Sequence, residues 1–148
     1  MKQALSFVLL CAASVTAHSQ AVAISQSTDT RKTSYEMQER CARNAREWYK
    51  ANWDNRHTPD VYVATNYTNH YSAKLGGCFV AVDSDMYGKK SGKPYSEHYT
   101  LLVNALENRD IGSALWNNQG EFTHCQVNDV ACASLDQWKA LLKPYMED

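Results

Sequence analysis

The chain lacks a long apolar run beyond its first residues. After Ala4 to Ala13, no segment approaches the ~20 consecutive apolar residues that a membrane-crossing helix needs. It also lacks a basic excess, with 15 Lys and Arg facing 16 Asp and Glu for a net charge of −1. Without surplus cations to neutralise phosphates, neither nucleic acid nor an anionic membrane is expected as a partner. Short metal-ligand spacings are missing too: no two histidines stand four apart, and there is no Cys-x-x-Cys. No zinc motif therefore declares itself, and no cofactor is expected. No internal repeat and no break into two domains can be read along the chain.

What is present begins with "MKQALSFVLLCAASVTAHSQA". Lys2, the apolar run and the small residues Val15, Thr16 and Ala17 have the anatomy of a secretory signal peptide over residues 1–17, with Ser19 or Ala21 as later cleavage options. Cys11 lies inside the apolar run and follows Val8-Leu9-Leu10 rather than a small residue, so it does not read as a lipidation site. Removing this segment takes away Lys2 and no acid, and leaves about 130 residues, one ordinary domain.

Four cysteines then remain: Cys41, Cys78, Cys125 and Cys132. An even number in an exported chain reads as two disulfides, with three possible connectivities. The preferred pairs are Cys41–Cys78, tying an N-terminal helix to a sheet, and Cys125–Cys132, closing the short turn-capable stretch "CQVNDVAC".

Residues 18–32 are polar and aperiodic and read as a flexible leader. From Thr33, Glu36 stands at capping-box spacing, and Met37, Cys41, Ala45 and Trp48 recur at helical intervals, widened by Ala42 and Tyr49. That helix is expected to end near Trp53, before "DNRHTPD". "VYVATNYTNHYSA", "CFVAVDS", "HYTLLVNAL", "IGSALW" and "EFTHCQV" read as about five strands, and their short connections favour antiparallel pairing. "LGG" reads as a turn and "MYGKKSGKPY" as a loop. Ser134, with Gln137 at capping-box spacing, starts a last helix whose apolar stripe is Trp138, Leu141, Leu142 and Tyr145. The fold class is therefore α+β over residues 33–148, helix, antiparallel meander, helix, with a cystatin-like arrangement as the nearest analogy.

Three kinds of chemistry can be drawn from these residues. Cys78 with His70 could form a thiol nucleophile and base, but an exported cysteine opening an apolar strand fits a disulfide better. His57, His70, His98 and His124 with Asp83 and Asp85 could ligate a metal only if strand pairing gathers them. Asp83, Asp85, Glu97, Glu107 and Asp110 could supply a pair of glycosidase carboxylates, though most sit in turn-like contexts. Aromatic content points elsewhere. Tyr67, Asn69 and Tyr71 fall on one strand face, and together with His70 and Lys74 they form a candidate binding surface combining apolar area with hydrogen bonds. The same tyrosines would also serve an ordinary sheet, pairing across strands.

"RCARNAREWYK", "YTNHYSAKLGGCFVAV" and the ending "LKPYMED" resemble a group of small exported proteobacterial proteins with an N-H-Y-x-x-K-L-x-x-C-F core. The resemblance runs through Cys41, Asn69, His70, Tyr71, Lys74, Leu75, Cys78 and Phe79 and covers most of the chain after the signal. It implies a bacterial envelope setting and brings no catalytic residues. Gly76-Gly77 departs from the polar turn of that group. The resulting expectation is a non-enzymatic periplasmic or secreted binding domain whose partner is another envelope or secreted protein. A small-ligand or metal-binding protein is the alternative, and a cell-wall hydrolase the third reading.

Overall fold

The computed structural model describes residues 18–53 and 61–147. The expected signal peptide lies outside them, as do "DNRHTPD" and its His57. The chain divides into two compact units, residues 1–33 and 34–148. In the first, the described backbone belongs to helix α1, His18–Trp53. Residues 18–32, expected as a leader, belong to this helix, and the expected capping-box position Thr33 lies inside it. The stretch from His18 to Trp53 contains neither glycine nor proline, so the low apolar content that suggested irregular chain does not prevent helix formation.

The second unit carries the rest of α1, then strands β1 (Val61–Ser72), β2 (Gly77–Lys90), β3 (Lys93–Asn104), β4 (Arg109–Asn117), β5 (Phe122–Val127) and β6 (Val130–Ala131), and helix α2 (Leu135–Met146). The strands form one antiparallel sheet in sequence order. The expected α+β meander is present, with a two-residue sixth strand completing the Cys125–Cys132 hairpin.

The loop expected at "MYGKKSGKPY" is instead strand on both sides of a two-residue turn. Ser91 and Gly92 both take positive φ, 53° and 76°, and Lys90 pairs with Lys93 across them. Two left-handed residues match the twist of a tight hairpin, so β2 and β3 continue outward as a long ribbon. Gly77 likewise begins β2 and is not part of the turn, which spans residues 73–76.

Strand alternation sends neighbouring residues to opposite faces, and here both faces are covered. On one, Val80, Val82, Leu101 and Val103 pack against Ala45, Trp48, Tyr49 and Trp53 of α1. On the other, Phe79, Leu102, Ile111, Ala114, Cys125 and Val127 pack against Trp138, with Leu141, Leu142 and Tyr145 of α2 around them. The unit is three layers, helix, sheet, helix. α2 meets β1 at one edge of the sheet and β5 near the other, so the sheet curves around it.

Ser134 caps α2 through its hydroxyl, which accepts from the Gln137 N–H at 3.3 Å, while the Gln137 amide oxygen accepts from the Ala133 N–H at 2.8 Å. The side-chain half of the expected capping box thus closes one residue upstream of the cap.

Both preferred disulfides are formed, Cys41–Cys78 and Cys125–Cys132, with Cα separations of 5.2 and 5.0 Å. Such bonds belong to an oxidising compartment. No described helix is long and apolar enough to cross a membrane.

The β4–β5 approach is tight at Gly112. A Cβ there would lie 2.6 Å from the Gln126 carbonyl oxygen and 2.9 Å from the Val127 Cα, both backbone atoms that cannot swing aside. Gly112→Ala is expected to cost about 1–3 kcal/mol in denaturant unfolding, because the strands must part to admit one methyl. An unchanged midpoint would contradict this packing.

Candidate functional site

The five residues of the sequence-derived surface do not share a surface. Tyr67, Asn69 and Tyr71 do lie on one strand face, but that face is turned to α1. The Tyr67 ring stacks on Tyr49 with centroids 4.4 Å apart. Asn69 Nδ2 lies 3.8 Å from the Cys41 sulfur, and the Tyr71 backbone N–H donates to Gln38 Oε1 at 2.8 Å. Thr65 joins the same contact through its hydroxyl, bonded to the Tyr49 hydroxyl. His70 faces the other way, opposite Phe79 in the register, and Lys74 is exposed in the turn. These side chains therefore dock α1 on β1 in part, and the sequence motif "NHY" is divided between two layers. Cys78, being in the disulfide, has no thiol to offer His70.

The α2-facing side gathers more chemistry. Asp85 and His98 are register partners on β2 and β3, and His98 Nδ1 meets Asp85 Oδ1 at 2.5 Å. Nε2 is the ring nitrogen turned away from the carboxylate. The imidazole stacks on Trp116 of β4 with centroids 5.5 Å apart, and Trp116 stacks on Phe122 at 5.2 Å. This oriented imidazole in an aromatic row is only visible once the register is known, since thirteen positions separate Asp85 from His98.

Trp116 also walls a cleft of about 390 Å3 between the sheet and α2. Its floor comes from Thr68, Ala81, Asp83 and Thr100, and its roof from α2, including Trp138, Lys139, Leu142 and Lys143. Pairing explains the floor: Thr68 opposes Ala81 and Asp83 opposes Thr100, so all four point to one face. Sequence reading missed Thr100 and the two lysines. The one available signal was a hydroxyl set inside the apolar run "HYTLLVNAL".

The other candidates stay apart. Asp83 and Asp85 share the α2 face, whereas Glu97 and Asp110 are on the α1 face by register, and Glu107 is held by Arg109 Nε at 3.0 Å in a turn. His124 Nε2 lies 3.0 Å from Ser113 Oγ, but this exposed pair has no carboxylate on the imidazole among the described residues. No three His, Cys, Asp or Glu side chains come together as a metal site among the described residues.

Strand β1 is the sheet edge, and its chemistry is unusual for one. Its twelve residues, "VYVATNYTNHYS", include no charge, glycine or proline, the devices that ordinarily blunt an edge. The Tyr67 and Tyr71 N–H groups are taken by side chains, Asn66 and Gln38, rather than by β2. Alternation then directs the Val63 and Thr65 N–H groups outward as well. Beside them Tyr62 and Tyr87, 65% and 46% exposed, face each other across β1 and β2 with centroids 6.3 Å apart. No protein-family model matches the chain, and comparison with curated proteins and with solved structures gives no match.

Proposed function

We propose that this chain is an exported, non-enzymatic binding domain of the bacterial periplasm or exterior that recognises another envelope or secreted protein, as an inhibitor, immunity or accessory protein. The observation that carries this reading is the uncharged β1 edge with the exposed Tyr62–Tyr87 pair beside it. Outward backbone N–H groups donate to the carbonyls of an added extended strand, and flanking tyrosines supply apolar area with hydrogen-bonding ends. The proposed partner surface is the start of β1 rather than the Tyr67–Lys74 segment, where Tyr67, Asn69 and Tyr71 face α1.

The test is capture from periplasmic extract with the full exported chain and two variants. Tyr62→Ala with Tyr87→Ala removes the aromatic pair. Val63→Pro removes an N–H that is outside the β1–β2 ladder, so the fold tolerates it as an edge proline. A saturable partner bound by the wild type and lost from both variants, with melting temperatures retained, is the expected result. Equal capture by the variants, or no saturable partner, would overturn the reading. The small-ligand alternative is favoured by a separate observation, the cleft under α2.

A further inference from the structure

We propose that the cleft between α2 and the sheet binds a small, neutral, largely apolar molecule bearing one hydrogen-bonding group, of the class of medium-chain alcohols and phenols. This goes beyond recognition of a protein partner and uses the opposite end of the sheet face from Tyr62 and Tyr87.

Size comes first. At about 390 Å3 the cleft falls in the range of small-molecule sites. It is more than twice the ~150 Å3 of an apolar cavity able to hold benzene. Trp116, Trp138, Leu142 and Met146 make its walls apolar, so the body of the ligand is hydrocarbon or aromatic.

The polar group comes next. Among the described residues, two buried side-chain hydroxyls have no hydrogen-bond partner, Ser84 and Thr100. Ser84 is on the α1 face, while Thr100 is on the cleft floor and only 1% exposed. Valine has the same shape as threonine and would cost nothing there, whereas an unpaired buried hydroxyl carries a desolvation penalty. Thr100 lines the cleft, so its hydroxyl is the buried, unpartnered polar group beside it, a donor and acceptor for a ligand's head.

Charge decides the class. The lining includes two cations, Lys139 and Lys143, and two anions, Asp83 and Glu147. Four charges of balanced sign give neither a carboxylate nor an ammonium a net Coulomb advantage, while desolvating either would cost it. A neutral head that pairs with Thr100 avoids that cost.

Three eight-carbon probes separate the possibilities: 1-octanol, octanoate and octylammonium, titrated into the full oxidised chain and followed by tryptophan fluorescence and amide chemical shifts. Octanol is expected to bind saturably at one site, with shifts at Thr100, Trp116 and α2, and more tightly than either charged analogue. Thr100→Val should weaken octanol by about fivefold, one net hydrogen bond, while raising the melting temperature. Thr100→Ser should retain binding and so guards against a general packing effect. Non-saturable shifts, shifts elsewhere, equal binding of the charged probes, or unchanged affinity in Thr100→Val would overturn the proposal. The last result would mean that an ordered water alone satisfies the hydroxyl.

Discussion

Replacing Cys41 and Cys78 together by alanine is expected to lower the unfolding free energy by about 4 kcal/mol, against about 2.5 kcal/mol for Cys125 with Cys132. The difference follows from loop length. The first bridge spans 37 positions and the second 7, and the unfolded chain gains more freedom when the longer loop is released. Location adds to it. Cys78 is completely buried and joins α1 to β2, whereas the second bridge closes one hairpin at the far edge of the sheet. A loss near 4 kcal/mol is a large part of the 5–15 kcal/mol typical of a domain, so the variant should unfold at much lower denaturant. Matched urea titrations of the two double variants check this. A costlier loss from the short bridge would show that the α1 attachment does not depend on its disulfide.

Trp138→Ala should cost about 3–5 kcal/mol, the range for truncating a buried tryptophan. Trp138 is 2% exposed and is the one α2 residue fully inserted among Phe79, Leu102, Ile111 and Ala114. α2 has twelve residues, too few to be stably helical alone, so it depends on this contact. Hydrogen exchange should therefore quicken first in Leu135–Met146, while the α1-side cluster of Val80, Val82 and Val103 stays protected until global unfolding. Exchange that rises equally on both sides would show that the two layers are one cooperative unit. A loss below 1 kcal/mol would contradict the packing of α2 altogether. The same substitution removes a wall of the cleft, so octanol binding should vanish with it.

Much of the architecture was legible because it is written in local periodicity. Cys41, Ala45 and Trp48 at helical spacing, and Trp138, Leu141, Leu142 and Tyr145 near the end, are the residues that face the sheet. The cysteine pairing was legible for a related reason: one cysteine lies on the inward stripe of a helix and another at the start of an apolar strand. The helical run before Thr33 was not legible, because a polar helix without an apolar stripe leaves no periodic signal. Nor was the β2–β3 ribbon, whose Ser-Gly turn is hidden among lysines that also suit a loop.

The candidate site was the least legible part. "NHY" reads as one cluster, yet alternation along β1 puts Asn69 and Tyr71 under α1 and His70 on the opposite face. Asp85 and His98, and Asp83 and Thr100, are paired only by the register of β2 with β3. By itself the sequence determined the order of elements, which residues of each helix are apolar, and which cysteines could meet. Tertiary structure alone decided that both sheet faces are covered, that the uncharged strand with Tyr62 near its start lies at the edge of the described sheet, and that a cleft forms beside Thr100. Those features depend on cross-strand register and sheet curvature, which are set by contacts between distant parts of the chain and leave no mark on any short stretch of it.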